Sequence, residues 1–581
     1  MSRGNGVTIA AEKDLGTGVV PHPTGSWHDA VPSWLTGPRV AFAASSAVPF
    51  LFLAALTIYP LLQQFYGSFY FWYQLQPSAF TGLANYSRLF DDPIARLAAL
   101  HTVIYVLCTV PCEVGLGLAA ASLTLRARRG QAVLAAVFML PLVVPWGTAA
   151  DLFLALPQPS YDRPVPAFAI LVVIAIWKGV PWCYLLLLGA LSTSPAEVFE
   201  AARIDGARGV VFWRRILIPA IRPMFVFVIV LRILIEAQNL TPVALLTGGG
   251  PSFTTQLSSY YGFELGFSFF QFGEAAALGT LLGAALLLVA VLGWRCARAR
   301  PARPASIPSL RQIIGRSPRR RARAGAARRL RWGPAHSIAW ANRGRWLFAT
   351  VLVMLLLAPF AALVREWSGY TLQWRAIGSG LRNSAIVAGG TVGLTLLLAV
   401  PAAYLLARKR FWLNGPLFMF VLFTLAIPGV VIIFPQVQEM SRLGLVNSYL
   451  GLIILYCAAN LPLAVFFLRP AFASVPGPLI ESMRVDGAEG LVILRRLLLP
   501  YVARTIIAVA MLVVVWVWNE LPLAVVMINS QSLQTLPVLV ELNIGGSASV
   551  GASWISMAPP FVLFLATLRY FRRGVITGNL L

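Results

Sequence analysis

Long apolar segments alternate with short polar breaks along almost the whole chain. A helix that crosses a bilayer needs about 20 consecutive, mostly apolar residues. Segments of that length begin near Ala41, Leu97, Ala132, Ala167, Pro223 and Ala275, and again near Trp346, Asn383, Pro416, Ser448, Thr505 and Trp554. The pattern predicts an all-α polytopic membrane protein of about twelve transmembrane helices in two six-helix halves. It divides the chain into a polar N-terminal tail (1–40), a first membrane domain (41–294), a linker (295–345) and a second membrane domain (346–581).

The halves share more than hydropathy. Glu200-Ala-Ala-Arg-Ile-Asp-Gly-Ala207 returns as Glu481-Ser-Met-Arg-Val-Asp-Gly-Ala488, 281 positions later. Pro181 and Pro462, Pro195 and Pro476, Pro219 and Pro500, and the pairs Arg214-Arg215 and Arg495-Arg496 keep that offset without a gap. The shared residues are polar, Gly and Pro, so similarity between two greasy helices does not explain them. Two copies in one orientation imply pseudo-symmetric halves related by an axis along the membrane normal. The repeated segment is too polar to span and sits between the fourth and fifth spans of each half. Ser194 is placed as an N-cap, Pro195 at the first helical position and Glu197 to close a capping box. Gly206 supplies the left-handed backbone that ends a helix, and a second short helix follows from about Arg208 to Pro219. In the second copy Val475 replaces the serine and Gly477-Pro478 weaken the first turn.

Composition agrees and charge gives an orientation. The chain is 58% hydrophobic and 12% charged, with mean hydropathy +0.76 and net charge +25, which excludes a soluble, disordered or disulfide-stapled protein. Fifteen arginines fall between Arg295 and Arg345 with no Asp or Glu among them. Basic residues beside spans mark cytoplasmic loops. Placing the N-terminus inside puts Arg126 to Arg129, Pro195 to Arg222, the linker, Arg408 to Arg410, Arg484 to Arg504 and Arg569 to Arg573 on one side, so both termini are expected in the cytoplasm. The basic linker then faces anionic lipid; nucleic acid is not an expected partner, since the run lacks stacking aromatics. Five cysteines without His or carboxylate at ligand spacing predict no metal site. Arginine outnumbers lysine 43 to 3, which points to a GC-rich bacterial host and hence to a bacterial inner or plasma membrane.

With these residues in view, the chain resembles the integral membrane permeases of ATP-binding-cassette importers, in the carbohydrate group that contains maltose-type permeases. Their hallmark "EAA" loop, followed by Asp-Gly-Ala and a later Pro, corresponds to Glu200 to Pro219 and Glu481 to Pro500. Phe80-Thr-Gly-Leu-Ala-Asn-Tyr86 and Leu246-Thr-Gly-Gly-Gly-Pro251 look like the first-subunit type. Asn383-Ser384, Ala402 to Arg408, Trp518-Asn-Glu520 and Thr535-Leu-Pro537 look like the second. The resemblance implies two permeases fused through the linker. It also implies that each loop couples to one of two copies of a cytoplasmic nucleotide-binding ATPase, through Glu200, Ala201, Ala202, Asp205, Gly206, Ala207 and Pro219, and through Glu481, Asp486, Gly487, Ala488 and Pro500. The ATP and Mg belong to that partner, and this chain is expected to bind no cofactor. An extracellular or periplasmic solute-binding protein would deliver a sugar-like substrate. The second loop departs from the pattern: Ser482 and Met483 stand where two alanines are usual, so unequal coupling is expected.

No GxxxxGK[ST] loop occurs, so the chain is expected to be a transport permease with no ATPase site, not an enzyme. Polar residues within spans are costly in hydrocarbon and mark a path or a pairing. The repeat aligns Gln238 and Asn239 with Asn519 and Glu520, near Glu236, Trp516 and Trp518. Amides and carboxylates suit hydroxyls and indoles suit the apolar face of a sugar ring, while helix-to-helix bonding and interfacial anchoring explain the same residues equally well. Structural pairing is expected for Glu113, Asp151 and Lys178. A fused permease for iron or thiamine is the alternative within the superfamily, and an ion-coupled secondary carrier the alternative outside it.

Overall fold

The computed structural model describes residues 47–576 except 74–75, 127–130, 155–162, 194–211, 299–349, 351–352, 355–356, 358–373, 409–411, 428, 489 and 544–546. The N-terminal tail, nearly all of the linker and the first span of the second half lie outside the described residues. So does the first repeated loop up to residue 211.

In the first half α1 (Ala47–Gly67) is followed by a hairpin of β1 (Tyr70–Tyr73) and β2 (Gln76–Phe80), then α2 (Ala84–Asp91), α3 (Pro93–Arg126), α4 (Gln131–Val143) and α5 (Trp146–Leu154). The chain continues through α6 (Pro164–Thr193), α7 (Trp213–Ala220), α8 (Arg222–Glu236), α9 (Thr241–Leu246), α10 (Ser258–Phe267) and α11 (Phe272–Arg298). The second half contains α12 (Trp374–Arg408), α13 (Asn414–Ala426), α14 (Gly429–Arg442), α15 (Tyr449–Ala473), α16 (Gly477–Val485), α17 (Leu494–Asn519), α18 (Pro522–Met527), α19 (Leu536–Asn543) and α20 (Ser547–Ile576). One small aromatic hairpin, in which Tyr70 pairs with Phe80, decorates the otherwise helical fold of the described residues.

Among the described residues seven helices are long and apolar enough to cross a membrane, and ten spans result if each of three bent pairs is one span. The first half supplies six of these, and α20 carries a further apolar stretch, Ala552–Thr567. The protein is therefore a polytopic helical membrane protein built as two halves.

The third spans are not straight. α4 and α5 meet at 96°, and α13 and α14 at 100°. The first bend falls at Pro145, which has no N–H to continue the ladder and bars the residue before it from helical geometry, and at the second Ile427 leaves the helix in extended backbone. These bends lie where the halves interlock. α11, the last span of the first half, packs on α13 and α14, while α20, the last span of the second, packs on α4, α5 and α6. Leu234, Ala237, Leu286 and Ala426 form one apolar cluster across this seam; Ile427, Val431 and Ile432, with Ile58 and Leu61 packed against them, form another.

Candidate functional site

The repeated loop is visible in its second copy. α16 starts at Pro476, in extended backbone, with Pro478 in its first turn. Proline pre-sets the helical φ where no N–H is needed, so the helix forms without a serine cap. Buried Ile480 anchors it. Its end is a full Schellman closure: Gly487 adopts φ +79°, its N–H donates to Arg484 O at 3.0 Å, and Ala488 N–H donates to Met483 O at 2.9 Å. Glycine is needed there, since a Cβ disfavours that φ. Glu481, Arg484, Asp486 and Gly487 are exposed, and Val485 is 88% exposed. The root of the element is tied down by Arg408, which donates to Phe472 O at 2.8 Å and to Val475 O. Glu200, Ala201, Ala202, Asp205, Gly206 and Ala207 lie outside the described residues. Beyond them the copies converge again, with π-type turns at Trp213–Leu217 and Leu494–Leu498 in the same 281-residue register. Pro219 and Pro500 each occupy the first turn of the following helix. Then the copies diverge: α7 and α8 are bent by 84° at Ile221, just before Pro223, whereas Arg504 at the equivalent position lets α17 run straight.

Within the first half, a charged clamp joins three spans. Arg232 of α8 donates from Nε to Glu113 Oε2 at 2.7 Å and from Nη2 to Glu113 Oε1 at 3.1 Å, and also bridges to Glu236. Tyr105 Oη donates to Glu236 Oε2 at 3.0 Å, and Asn239 Nδ2 to the same oxygen at 3.4 Å. Arg232 and Glu236 are each 2% exposed and Glu113 is fully buried. Gly179 of α6 lies flat over the group, where a Cβ would collide with the Glu113 carboxylate and the Arg232 guanidinium. The expected pairing of Glu113 is thus met by Arg232, a residue the sequence reading passed over. Its signal was available, since Arg232 lies one helical turn before Glu236.

At the seam, the amides aligned by the repeat do equivalent work on opposite halves. A broken span strands backbone groups at membrane depth that must find partners. Gln238, at the end of α8, accepts from Gly429 N at 2.8 Å, the first N–H of α14 beyond the break. Asn519, at the end of α17, donates to Leu142 O at 3.3 Å, on the other side of the pseudo-axis beside the break after α4. Lys178 joins only the second of these: it donates to Asn519 Oδ1 at 2.7 Å and to Val144 O, with its ammonium 5.1 Å from the Trp146 ring centre. Asp151 accepts from Ser553 Oγ at 2.6 Å, and Thr148 donates to Ser553 O at 3.1 Å, so it too is paired across the seam.

The remaining path candidates are also engaged by the protein. Glu520 accepts from Tyr456 Oη at 2.5 Å and from the N–H groups of Leu523 at 2.8 Å and Ala524 at 3.2 Å, capping α18. Trp516 meets Tyr456 edge-on with centroids 5.3 Å apart. Trp518 is buried, and its indole N–H finds no partner among the described residues. In this arrangement helix-to-helix bonding engages Glu236, Gln238, Asn519 and Glu520, and Asn239 bonds locally to Glu236. The sequence motifs of each half behave similarly: Asn383 donates to Ser532 O at 2.8 Å and Gln534 O at 2.9 Å, and Leu536 N–H donates to Ser384 Oγ at 2.8 Å, stapling the Thr535-Leu-Pro537 turn to α12. Among the described residues no cluster of His, Cys, Asp and Glu could hold a metal.

Comparison with known proteins adds an independent line. Residues 96–295 and 396–575 each match the family described as binding-protein-dependent transport system inner membrane component. An osmoprotective compounds uptake permease protein of Synechocystis sp. is 31% identical over 36% of this chain and 73% of its own length. A melibiose/raffinose/stachyose import permease protein of Bacillus subtilis is 29% identical over 35% of this chain and 76% of its own. A sulfoquinovosyl glycerol transport system permease protein of Agrobacterium fabrum is 27% identical over 46% of this chain and 94% of its own.

Proposed function

We infer the activity from one premise: the chain belongs to the binding-protein-dependent transport system inner membrane component family, which it matches once in each half. It is a multi-pass permease component of an ABC importer, a transport protein rather than an enzyme. On that footing the chain forms the whole path for a sugar or sugar-like solute, with the two halves as the walls and the linker keeping them in one-to-one ratio. Two copies of a nucleotide-binding ATPase, using ATP and Mg, move the halves through the loops Glu200–Pro219 and Glu481–Pro500. A solute-binding protein loads the path from outside. The observation that carries this reading is the pairing of a two-fold family match with α16, an exposed helix rigidly closed by Gly487 and rooted by Arg408, as a docking part requires. The sugar class is supported by the import permeases among the relatives.

Two measurements test it. With Val485→Cys in the full chain, a short bifunctional reagent should capture the ATPase encoded beside it, and Val165→Cys on the opposite face should not. Vesicles holding the chain with that ATPase and a binding protein should take up a labelled oligosaccharide only with ATP. Uptake of iron or thiamine without any glycoside or polyol would reject the sugar assignment, and uptake driven by an ion gradient without ATPase would reject the importer reading.

A further inference from the structure

The aromatic hairpin of β1 and β2 follows α1 directly, at the end of that span which the basic clusters assign to the outside. The protein itself fixes its conformation. Asn85 of α2 is buried and donates from Nδ2 to Ser68 O at 2.8 Å and to Tyr70 O at 3.0 Å, while Thr81 N–H donates to Phe69 O at 2.8 Å. Trp72 folds back to donate from Nε1 to Gly67 O at 2.9 Å, so closely that a Cβ at Gly67 would strike its ring. The same indole meets Phe272 of α11 and Phe434 of α14, with centroids 5.9 Å and 5.4 Å away. The hairpin therefore rests on both halves.

Other parts of the element are apolar and uncovered. α1 has two faces: Leu53, Thr57, Pro60, Gln64 and Gly67 are buried, whereas Leu51, Ala55, Tyr59, Leu62 and Tyr66 form an exposed stripe at helical spacing. On a spanning helix, an apolar stripe turned away from the helices it packs on faces hydrocarbon. The stripe does not stop where the span ends. Tyr66 meets Tyr70 with centroids 4.5 Å apart, and Tyr70 meets Phe80 at 5.5 Å, which carries the exposed rings onto the hairpin. Phe71 is 51% exposed and Phe80 71%. Between Arg39 and Arg88 the chain has no charged residue and no His. A docked protein would be met by a polar rim around such a patch, but this one runs without a charge into the lipid-facing stripe of α1. Rings with an apolar body, some with a hydroxyl at the tip, suit the boundary between headgroups and acyl chains.

We propose that the hairpin is a membrane-interface anchor: Tyr66, Tyr70, Phe71 and Phe80 sit at the headgroup level of the outer leaflet, and Trp72 carries that seating onto the seam between the halves. The partner is the lipid surface, bound without charge, so the seating is independent of anionic lipid and of salt, unlike that of a basic segment. The test uses the full chain with its five cysteines replaced by Ala, in nanodiscs of phosphatidylethanolamine and phosphatidylglycerol. A bimane fluorophore is placed on Phe80→Cys or on Leu83→Cys, an exposed position just past β2. Lipid carrying a nitroxide near the headgroup should quench both probes strongly and iodide in the buffer hardly at all, and neither added NaCl nor omission of phosphatidylglycerol should change this. Val485→Cys, exposed on α16, should show the reverse and gives the aqueous reference. Tyr66→Ser combined with Phe80→Ser should reverse the ratio of lipid to iodide quenching at the Leu83 probe, while the chain elutes as a monodisperse species because Asn85 and Trp72 still hold the hairpin. Should that double variant not fold, the two single probes decide. Quenching of both by iodide and not by spin-labelled lipid would overturn the proposal. So would shielding from iodide that appears only when a solute-binding protein is added, which would assign the face to that protein, and so would lipid quenching that depends on phosphatidylglycerol.

Discussion

The two halves keep one register but solve the same physical problem with different chemistry. In the first half the fifth span is bent, split by Pro223, and is pinned by a buried Arg232 that bridges two carboxylates. In the second the fifth span is straight, and the positions 281 residues after Arg232 and Glu236 are Val513 and Val517. A straight helix is held along its length by apolar packing and needs only Glu520 to cap the next turn. A bent one loses backbone continuity and is fixed instead by directed bonds to its neighbours. Repetition thus preserves the loop sequence and the amides that meet across the seam, and leaves each half free in how it stabilises itself.

The largest effect should come from breaking that asymmetry. Arg232→Met leaves Glu113 and Glu236 buried without their cation, which costs about 3–5 kcal/mol. Val513→Met, its counterpart, only adds bulk to an apolar site and should cost less, about 1–3 kcal/mol of overpacking. Thermal unfolding of the full chain in detergent checks both, and equal losses would show that the clamp is not what holds the first half. Next in size is Gly179→Ala, which forces a methyl into the clamp for about 1–3 kcal/mol of overpacking. Lys178→Met follows. It removes two donors from the seam and strands Val144 O and Asn519 Oδ1, again about 1–3 kcal/mol, while its counterpart Ala459 has no such duty and tolerates Ala459→Ser within about 0.5 kcal/mol.

These rankings also explain what the chain reveals before its structure is known. Span positions were legible because twenty apolar residues in a row have few other uses, and the helix-closing role assigned to Gly206 is carried out by its repeat-mate Gly487, because only a left-handed backbone completes that closure. The breaks in the third spans were not foreseen, although Pro145 stands at the first of them, since prolines such as Pro181 and Pro462 sit inside spans that remain continuous. Whether a proline bends or breaks depends on what receives the freed carbonyls and amides, and that is a property of the other half. For the same reason Gln238 and Asn519, singled out as path candidates for which helix-to-helix bonding was an equal reading, have partners, Gly429 and Leu142, that carry no signature a sequence can show: they contribute backbone atoms only.

The smallest predicted difference probes the seam itself. Gln238→Ala removes the bond from Gly429 N and a local bond to Leu234 O, at a partly exposed position, and should cost about 0.5–1.5 kcal/mol. Asn519→Ala removes the bond to Leu142 O and also leaves the Lys178 ammonium with a single carbonyl partner, so a loss nearer 1.5–3 kcal/mol is expected, because a bond to a charged group is the stronger one. Thiol labelling reads the consequence locally: Gly429→Cys should become more reactive in the Gln238→Ala background, and Leu142→Cys in the Asn519→Ala background. Two separate latches on rigid halves would give losses that add. If the seam opens as one body, releasing either latch already loosens the other, and the double variant should lose at least about 0.5 kcal/mol less than the sum of the singles. A sub-additive result is therefore expected of halves that move as one body at the seam, whereas strict additivity would mean that each broken span is merely capped where it stands.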